Sequence, residues 1–142
     1  MILSKSCEYA VRATVYIAVK SSSNNKAGIA EIAKAIGSPA AFTGKILQTL
    51  VRKEIISSVK GPNGGFYIEK NKNLFLIDIV KAIDGNELFT ACVLGLKKCS
   101  ETKPCPMHEQ AKPIRDQLLL QFSKQRISGL AEGLERNGYF LK

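Results

Sequence analysis

The sequence predicts a mainly α-helical fold with one small β-hairpin and a long helix in its C-terminal half. Apolar residues recur at helical spacing along most of the chain. Two short apolar runs are separated by the turn KGPNGG at residues 60–65, whose composition is typical of a hairpin. A third observation is a group of three cysteines and one histidine within residues 92–108, a segment with neither helical nor strand periodicity.

The composition is that of a globular protein with a basic half. The chain has 142 residues, enough for one domain or a small domain with an appendage. No apolar run is long enough for a transmembrane helix. The net charge is +9, of which +7 lies in residues 1–75, so we expect a polyanion, most often nucleic acid, to bind the first half. The start MILSKSCEYA lacks the features of a signal peptide, so we expect a cytoplasmic protein.

Two helices are predicted first. Residues 6–20 carry apolar side chains at helical spacing, and Glu8 and Arg12 stand four residues apart as a favourable surface pair. A polar loop follows. Residues 28–36 then form a short helix that ends at Gly37.

A third helix completes a helix-turn-helix unit. Ser38 is expected to cap it, with Pro39 at its first position, and its apolar stripe continues to about Lys53. A short helix, a turn containing glycine and a longer helix are typical of this DNA-binding motif. The outward face of the third helix carries donors suited to phosphates and base edges, namely Thr43, Lys45, Gln48, Thr49 and Arg52.

A hairpin directly after such a helix is a wing. Residues 55–59 and 66–69 are the predicted strands, and the turn between them is basic at Lys60 and otherwise free of bulky side chains. Such a tip can approach a phosphate backbone. The surface that we expect to face DNA comprises Ser38, Ala41, Phe42, Thr43, Lys45, Gln48, Thr49, Arg52, Lys60 and Gly61.

The second half is predicted to hold three more helices. Residues 75–84 form a short one, and residues 127–138 form the last, capped by Ser128. Between them a long helix should begin at Pro106 and reach about Ser123, with a bend or local break at Pro113. Its apolar stripe needs a partner, and we expect a second copy of the chain to cover Met107, Ala111, Ile114, Leu118 and Phe122.

The cysteine segment suggests a metal centre. Cys92, Cys99 and Cys105 follow a C-x6-C-x5-C spacing, and His108 comes three residues later. Thiolates and imidazole are good ligands for soft and borderline metals. The gaps are wider than the close cysteine pairs of most structural zinc sites, which favours an iron–sulfur cluster over zinc, although the ferredoxin spacings do not match either. Structural or redox-active thiols are the remaining alternative, and Cys7 is expected to be a core thiol.

The order of these parts resembles one known family over roughly residues 1–125. The motifs that carry the resemblance are YAVR at residues 9–12, FTGKILQTL at 42–50, VKGPNGGF at 59–66, and the cysteines followed by Pro106, Met107 and His108. They are similar to those of the Rrf-type family of iron–sulfur-responsive winged-helix transcription regulators, which includes IscR and NsrR.

The resemblance implies a homodimeric bacterial transcription regulator whose long helix crosses to the other subunit. It also implies that Cys92, Cys99 and Cys105 hold a 2Fe–2S or 4Fe–4S cluster. In the IscR-like pattern the fourth ligand is His108. In the NsrR-like pattern it is Glu8, contributed by the other subunit.

We therefore expect a regulator in which a winged helix-turn-helix domain (residues 1–75) binds double-stranded operator DNA. Residues 76–142 would supply the cluster loop and the dimerisation helix. The alternative is a regulator of the same fold without a cluster, which senses through thiols, zinc or a partner protein. An enzyme with Cys105 as nucleophile and His108 as base is disfavoured, because no third orienting group or ligand pocket is evident and the basic half would be unexplained. We expect no small-molecule substrate and no membrane partner.

Overall fold

The computed structural model describes residues 2–142, and its first half is built from three helices. Helix α1 spans Lys5–Ser22, α2 spans Ile29–Ile36 and α3 spans Ala40–Arg52. Gly37 ends α2 in the left-handed conformation (φ 66°), as predicted. The predicted start of α3 is wrong by one residue, because Pro39 is itself the cap residue and the hydroxyl of Ser38 contacts the side chain of Thr43 instead of a backbone N–H.

The wing is a two-stranded antiparallel sheet, shorter than predicted. Strands β1 (Ser57–Val59) and β2 (Gly65–Tyr67) pair with Ser57 opposite Tyr67. Ala27, just before α2, exchanges two backbone hydrogen bonds with Phe66, at 3.0 and 2.8 Å, and so ties the hairpin to the helical part. Gly64 makes the turn possible, since a Cβ atom there would lie 2.1 Å from the carbonyl oxygen of Val59.

The second half holds four helices, one more than predicted. They are α4 (Leu76–Ile83), the short α5 (Glu87–Thr90), α6 (His108–Lys124) and α7 (Ile127–Asn137). The segment between α5 and α6 contains all three candidate cysteine ligands.

Three details of α6 and α7 differ from prediction. Helix α6 starts at His108 and not at Pro106, and Met107 is its cap residue. It runs continuously through Pro113, so the local break expected there is absent, while the alternative of a bend stays a prediction. Helix α7 is preceded by Arg126 as cap residue, and Ser128 lies inside its first turn. The backbone N–H of Ile127 donates to the Leu74 carbonyl, which fixes the start of α7 against the segment before α4.

The core joins the two halves of the chain. Helix α7 packs on α1, and the buried side chains of α1, α2 and α3 form one cluster with Ile79 of α4 and Ile127 of α7. A second cluster contains Cys7, Ile77, Val80 and Phe89, and the apolar face of α6 packs against it. Helix α6 is therefore positioned by α4 and α5, next to the N-terminal end of α1.

Arg12 connects three parts of the first core instead of pairing with Glu8, so the predicted ion pair is wrong. Its guanidinium donates to the carbonyl oxygens of Ile36 (3.0 Å) and Leu141 (3.1 Å). It also stacks 4.5 Å from the ring centre of Tyr9. The Ile36 carbonyl, at the end of α2, attracts a guanidinium strongly because it lacks a partner within the helix.

Within residues 2–142, no helix combines the length and the apolar character needed to cross a membrane.

Candidate metal centre and nucleic-acid interface

Cys92 follows the last turn of α5 and is held in a polar backbone environment. Its side chain is buried, and backbone N–H groups of Leu96 and Leu94 lower the pKa of its thiol. Burial opposes this shift, while the Cys105 thiol and the positive charge of Arg115 reinforce it. A thiolate is the form that binds metals, so these contacts favour the binding-competent state of Cys92.

Cys99 and His108 form the other half of the site. The Nδ1 atom of His108 lies 3.4 Å from the Sγ atom of Cys99. His108 is only 9% exposed and is the first residue of α6. Its backbone N–H donates to the Cys105 carbonyl at 2.9 Å, which fixes the start of the helix. Cys105 precedes the helix, and a backbone turn brings the two residues together.

Arg115 is a site residue that the sequence interpretation missed. It lies seven residues after His108, two turns along the same face of α6. One terminal nitrogen donates to the Ala91 carbonyl at 2.7 Å and the other donates to the Cys99 Sγ at 3.2 Å. The i, i+7 spacing from a candidate ligand was the available signal.

The donor set fits an iron–sulfur cluster. Three thiols and an imidazole are ligands of the right chemistry. The Nε atom of Arg115 is buried and has no hydrogen-bond partner among the described residues. Its N–H group, beside the sulfurs, therefore lacks an acceptor that a ligand could supply. Cys92, Cys99, Cys105 and His108 would hold the cluster, which would supply one-electron chemistry when bound.

The candidate ligands stand as two pairs and not as one compact group. The Cys105 thiol is near enough to lower the pKa of Cys92, and the Cys99 sulfur lies 3.4 Å from the His108 Nδ1 atom. In the part of the chain that the structure describes, no three cysteine, histidine or acidic side chains are close enough together for a single metal ion. All four cysteines are free thiols. The loop that carries the ligands is open to solvent, and Val93, Leu94 and Leu96 are more than half exposed.

Cys7 and Glu8 lie on α1, outside these pairs. Cys7 is fully buried, as expected of a core thiol, and burial, aided by Asp84, raises its pKa to about 12. It therefore remains a neutral thiol at physiological pH. Glu8 forms an ion pair with Lys5 at 3.2 Å.

The exposed face of α3 presents a row of four residues. Ala41, Lys45, Gln48 and Arg52 are all exposed, and their spacing of four, three and four residues places them on one side of the helix. The row contains two cations and an amide, which are side chains able to contact phosphates and base edges. Arg52 is steadied by a bond to the Thr49 hydroxyl at 3.2 Å.

Other residues expected on this face are turned inward. Thr43 is 1% exposed, and its hydroxyl lies 2.9 Å from both the Pro39 carbonyl and the Ser38 hydroxyl, so the expectation that it lies on the outward face of α3 is wrong. Phe42 is half-buried and meets the Tyr9 ring edge to face, 5.7 Å between centres. The Thr49 hydroxyl already donates to the Lys45 carbonyl at 3.1 Å.

The tip of the wing is exposed to solvent. Lys60, Gly61, Pro62 and Asn63 are all exposed. The N–H of Gly64 donates to the Gly61 carbonyl at 2.9 Å, which closes the turn. Gly61 has a φ of 105°, a conformation that favours glycine. The turn thus places Lys60 at the base of a narrow tip.

The apolar stripe predicted on α6 is divided between two surroundings. Leu118 and Phe122 pack against the second core cluster, where Phe122 meets Phe89 with ring centres 5.8 Å apart. Ala111 is partly buried. Ile114 is 72% exposed and Met107 is 42% exposed, so these two are available to a partner.

Comparison with known proteins agrees with this architecture. Residues 3–133 match the model of the Rrf2 family, described as an iron-dependent transcriptional regulator. A protein of Aquifex aeolicus named as an HTH-type transcriptional regulator is 32% identical over 133 residues, 92% of this chain and 91% of that protein. The HTH-type transcriptional regulator IscR of Escherichia coli is 26% identical over 122 residues, 83% of this chain and 72% of IscR.

Solved structures share the fold at lower identity. CymR, titled the global cysteine regulator of B. subtilis, superposes with a TM-score of 0.74 at 16% identity, covering 92% of this chain and 95% of CymR. IscR of T. potens has a TM-score of 0.74 at 14% identity, covering 96% of this chain and 90% of that protein. The mainly helical fold with a two-stranded wing is thus the winged-helix fold of these regulators. The predicted family is confirmed, and the chain belongs to the Rrf2 family of DNA-binding transcriptional regulators, which are not enzymes.

Proposed function

We propose that this regulator binds operator DNA as a homodimer in the bacterial cytoplasm, and that an iron–sulfur cluster on Cys92, Cys99, Cys105 and His108 gates this binding. The observation that carries the proposal is the meeting of Cys99, His108 and Arg115 within hydrogen-bonding distance at the start of α6. The IscR relatives and the family description support a ligand that contains iron.

The chain's own residues explain how a ligand could alter DNA binding. Three of the four ligands, the cysteines, lie in the loop between α5 and α6, and the fourth, His108, begins α6. Binding all four would fix the loop and thereby the position of α6 relative to α5. If α6 forms the dimer interface, that position sets the distance between two recognition helices, which must match half-sites about 34 Å apart.

The DNA-binding part of the proposal rests on residues 1–75. Lys45, Gln48 and Arg52 would enter the major groove from α3, while Lys60 and Gly61 of the wing would contact the backbone. The remaining residues, 76–142, would act as sensor and dimerisation unit.

The decisive experiment is an anaerobic purification. We expect a brown protein with iron and acid-labile sulfide, and we expect Cys99→Ser to be colourless. Cys7→Ser is the matched control, because Cys7 lies outside the ligand pairs and its loss should leave iron and sulfide content unchanged. A colourless wild-type protein without iron would contradict the cluster.

A regulator that senses through thiols or zinc is the second candidate. It is favoured by the arrangement of the ligands in two pairs rather than one group. CymR of Staphylococcus aureus, solved in an oxidized form, shares the fold with a TM-score of 0.68. Metal analysis of the same preparation separates the candidates, since zinc without sulfide, or three accessible thiols without metal, would favour the second.

A further inference from the structure

We propose that Arg115 raises the reduction potential of the cluster by donating a hydrogen bond to a ligand sulfur and by placing a permanent positive charge beside it. The inference rests on the proposed cluster and assigns a role to a residue outside its ligand set. Arg115 would be a positioning and tuning residue, not a ligand.

The geometry places one guanidinium against two candidate ligands. One nitrogen donates at 2.7 Å to the carbonyl of Ala91, the residue directly before Cys92. The other donates at 3.2 Å to the sulfur of Cys99. The guanidinium is planar and its donors form a rigid fork, so the two contacts constrain each other. The buried Nε atom is a further donor available to a sulfur acceptor.

The charge of Arg115 is not neutralised by an acidic side chain. In the described part of the chain, none of the ion pairs involves Arg115. Lys112, three residues earlier on α6, is by contrast paired with Asp116 and lies 3.8 Å from Glu101. The two cations therefore differ in what they face: Lys112 faces carboxylates, and Arg115 faces a carbonyl and a sulfur.

The consequence follows from the charge of a thiolate-bound cluster. Reduction of a bound cluster by a chemical donor such as dithionite would add one electron to it and break no bond. The reduced form carries one more negative charge. Hydrogen bonds to the sulfurs and nearby positive charge stabilise that form, so they raise the potential.

The test compares reduction potentials of anaerobically purified wild type, Arg115→Gln and Lys112→Gln. Each protein is titrated with dithionite and followed by absorbance and electron paramagnetic resonance. In Arg115→Gln we expect at least a tenfold lower ratio of reduced to oxidised cluster at a fixed potential, about 59 mV for a one-electron couple. Lys112→Gln removes the same unit of charge from α6 but no hydrogen bond to a ligand sulfur, so its potential should fall by less than that of Arg115→Gln.

The outcomes separate the two proposals. An unchanged potential in Arg115→Gln, or an equal shift in Lys112→Gln, overturns the proposed role of Arg115 but does not affect the proposal that a cluster is bound. A wild-type protein without iron and sulfide overturns both. If Arg115→Gln assembles no cluster, Arg115→Lys decides, because it keeps the charge but loses the fork. Its potential should fall below that of the wild type, and an unchanged value overturns the proposal.

Discussion

At the scale of single residues, His108 and Glu8 compete for the fourth ligand position. His108 is nearly buried and its Nδ1 atom lies 3.4 Å from the Cys99 sulfur, whereas Glu8 pairs with Lys5 on α1. We expect His108→Ala to alter the absorbance spectrum of the reconstituted cluster and to lower its iron content. Glu8→Ala, prepared in parallel, should match the wild type. Wild-type spectra in His108→Ala together with altered spectra in Glu8→Ala would instead identify the NsrR-like arrangement.

Thr43 is buried in the structure, so we expect it to stabilise α3 and not to recognise the DNA sequence. Its hydroxyl bonds the Pro39 carbonyl within α3, so Thr43→Val should cost about 1 kcal/mol of unfolding free energy while leaving the DNA sequence preference unchanged. Lys45→Ala, on the exposed row, should change the DNA sequence preference and leave the unfolding free energy unchanged. Urea denaturation measures the first effect, and selection from a random DNA pool measures the second. A changed sequence preference in Thr43→Val would show instead that Thr43 takes part in DNA recognition.

At the scale of elements, the wing offers the clearest test of DNA contact. Lys60 is exposed at the base of a tip that glycines hold in a narrow turn. We expect Lys60→Ala to weaken binding to every duplex and to reduce the slope of log K against log salt by about 1, as loss of a phosphate contact does. To test this, the affinities of the wild type and of Lys60→Ala for a labelled random-sequence duplex are measured at several salt concentrations. Lys124→Ala, an exposed lysine on α6, is the matched control and should retain the wild-type slope.

The elements also show what the sequence could and could not predict. Helices α1 to α3 were predicted because each has a periodic apolar stripe, and α2 also has a clear end signal at Gly37. The wing was predicted because a Gly-rich turn separates its two strands. Helix α5 was missed because four residues contain too little periodicity to indicate a helix. The start of α6 was misplaced because Pro106 is a favoured first residue, while the actual start depends on a turn in which the His108 N–H bonds the Cys105 carbonyl.

The same division holds for the candidate site. Spacing alone identified the cysteines and His108 as a group, since few other patterns place four such residues within one loop. It could not reveal that Cys99 and His108 pair, nor that Arg115 joins them, because those contacts depend on how α6 packs against α5. The orientation of Thr43 likewise depends on which turn of α3 faces α2. Tertiary packing, and not local pattern, decides such details.

At the scale of the whole molecule, dimerisation is best tested at Ile114. Because Leu118 packs inside its own chain, Leu118→Glu should lower the stability of the fold itself by burying a charge, and its result would say little about dimers. Ile114 is 72% exposed, so Ile114→Glu should leave the helical circular dichroism intact and convert a dimer into a monomer.

Sedimentation at micromolar concentration measures the outcome of this substitution. Ser123→Glu is the control, since nine residues place it half a turn around α6 from Ile114 and it is also exposed. It should remain dimeric. A wild-type monomer, or a dimer in Ile114→Glu, would remove this face of α6 from the interface.

The exposed loop between Cys92 and Cys105 is also where a protease would cut first. It carries Lys97 and Lys98, both open to solvent. A ligand that ties the cysteines together would withdraw these bonds from attack. Trypsin should therefore cleave the metal-free protein in this loop and spare the loaded protein, and equal rates would show that the ligand does not order it. Inside a cell the same difference would shorten the lifetime of empty molecules, so that the amount of regulator, and not only its state, would follow the supply of iron.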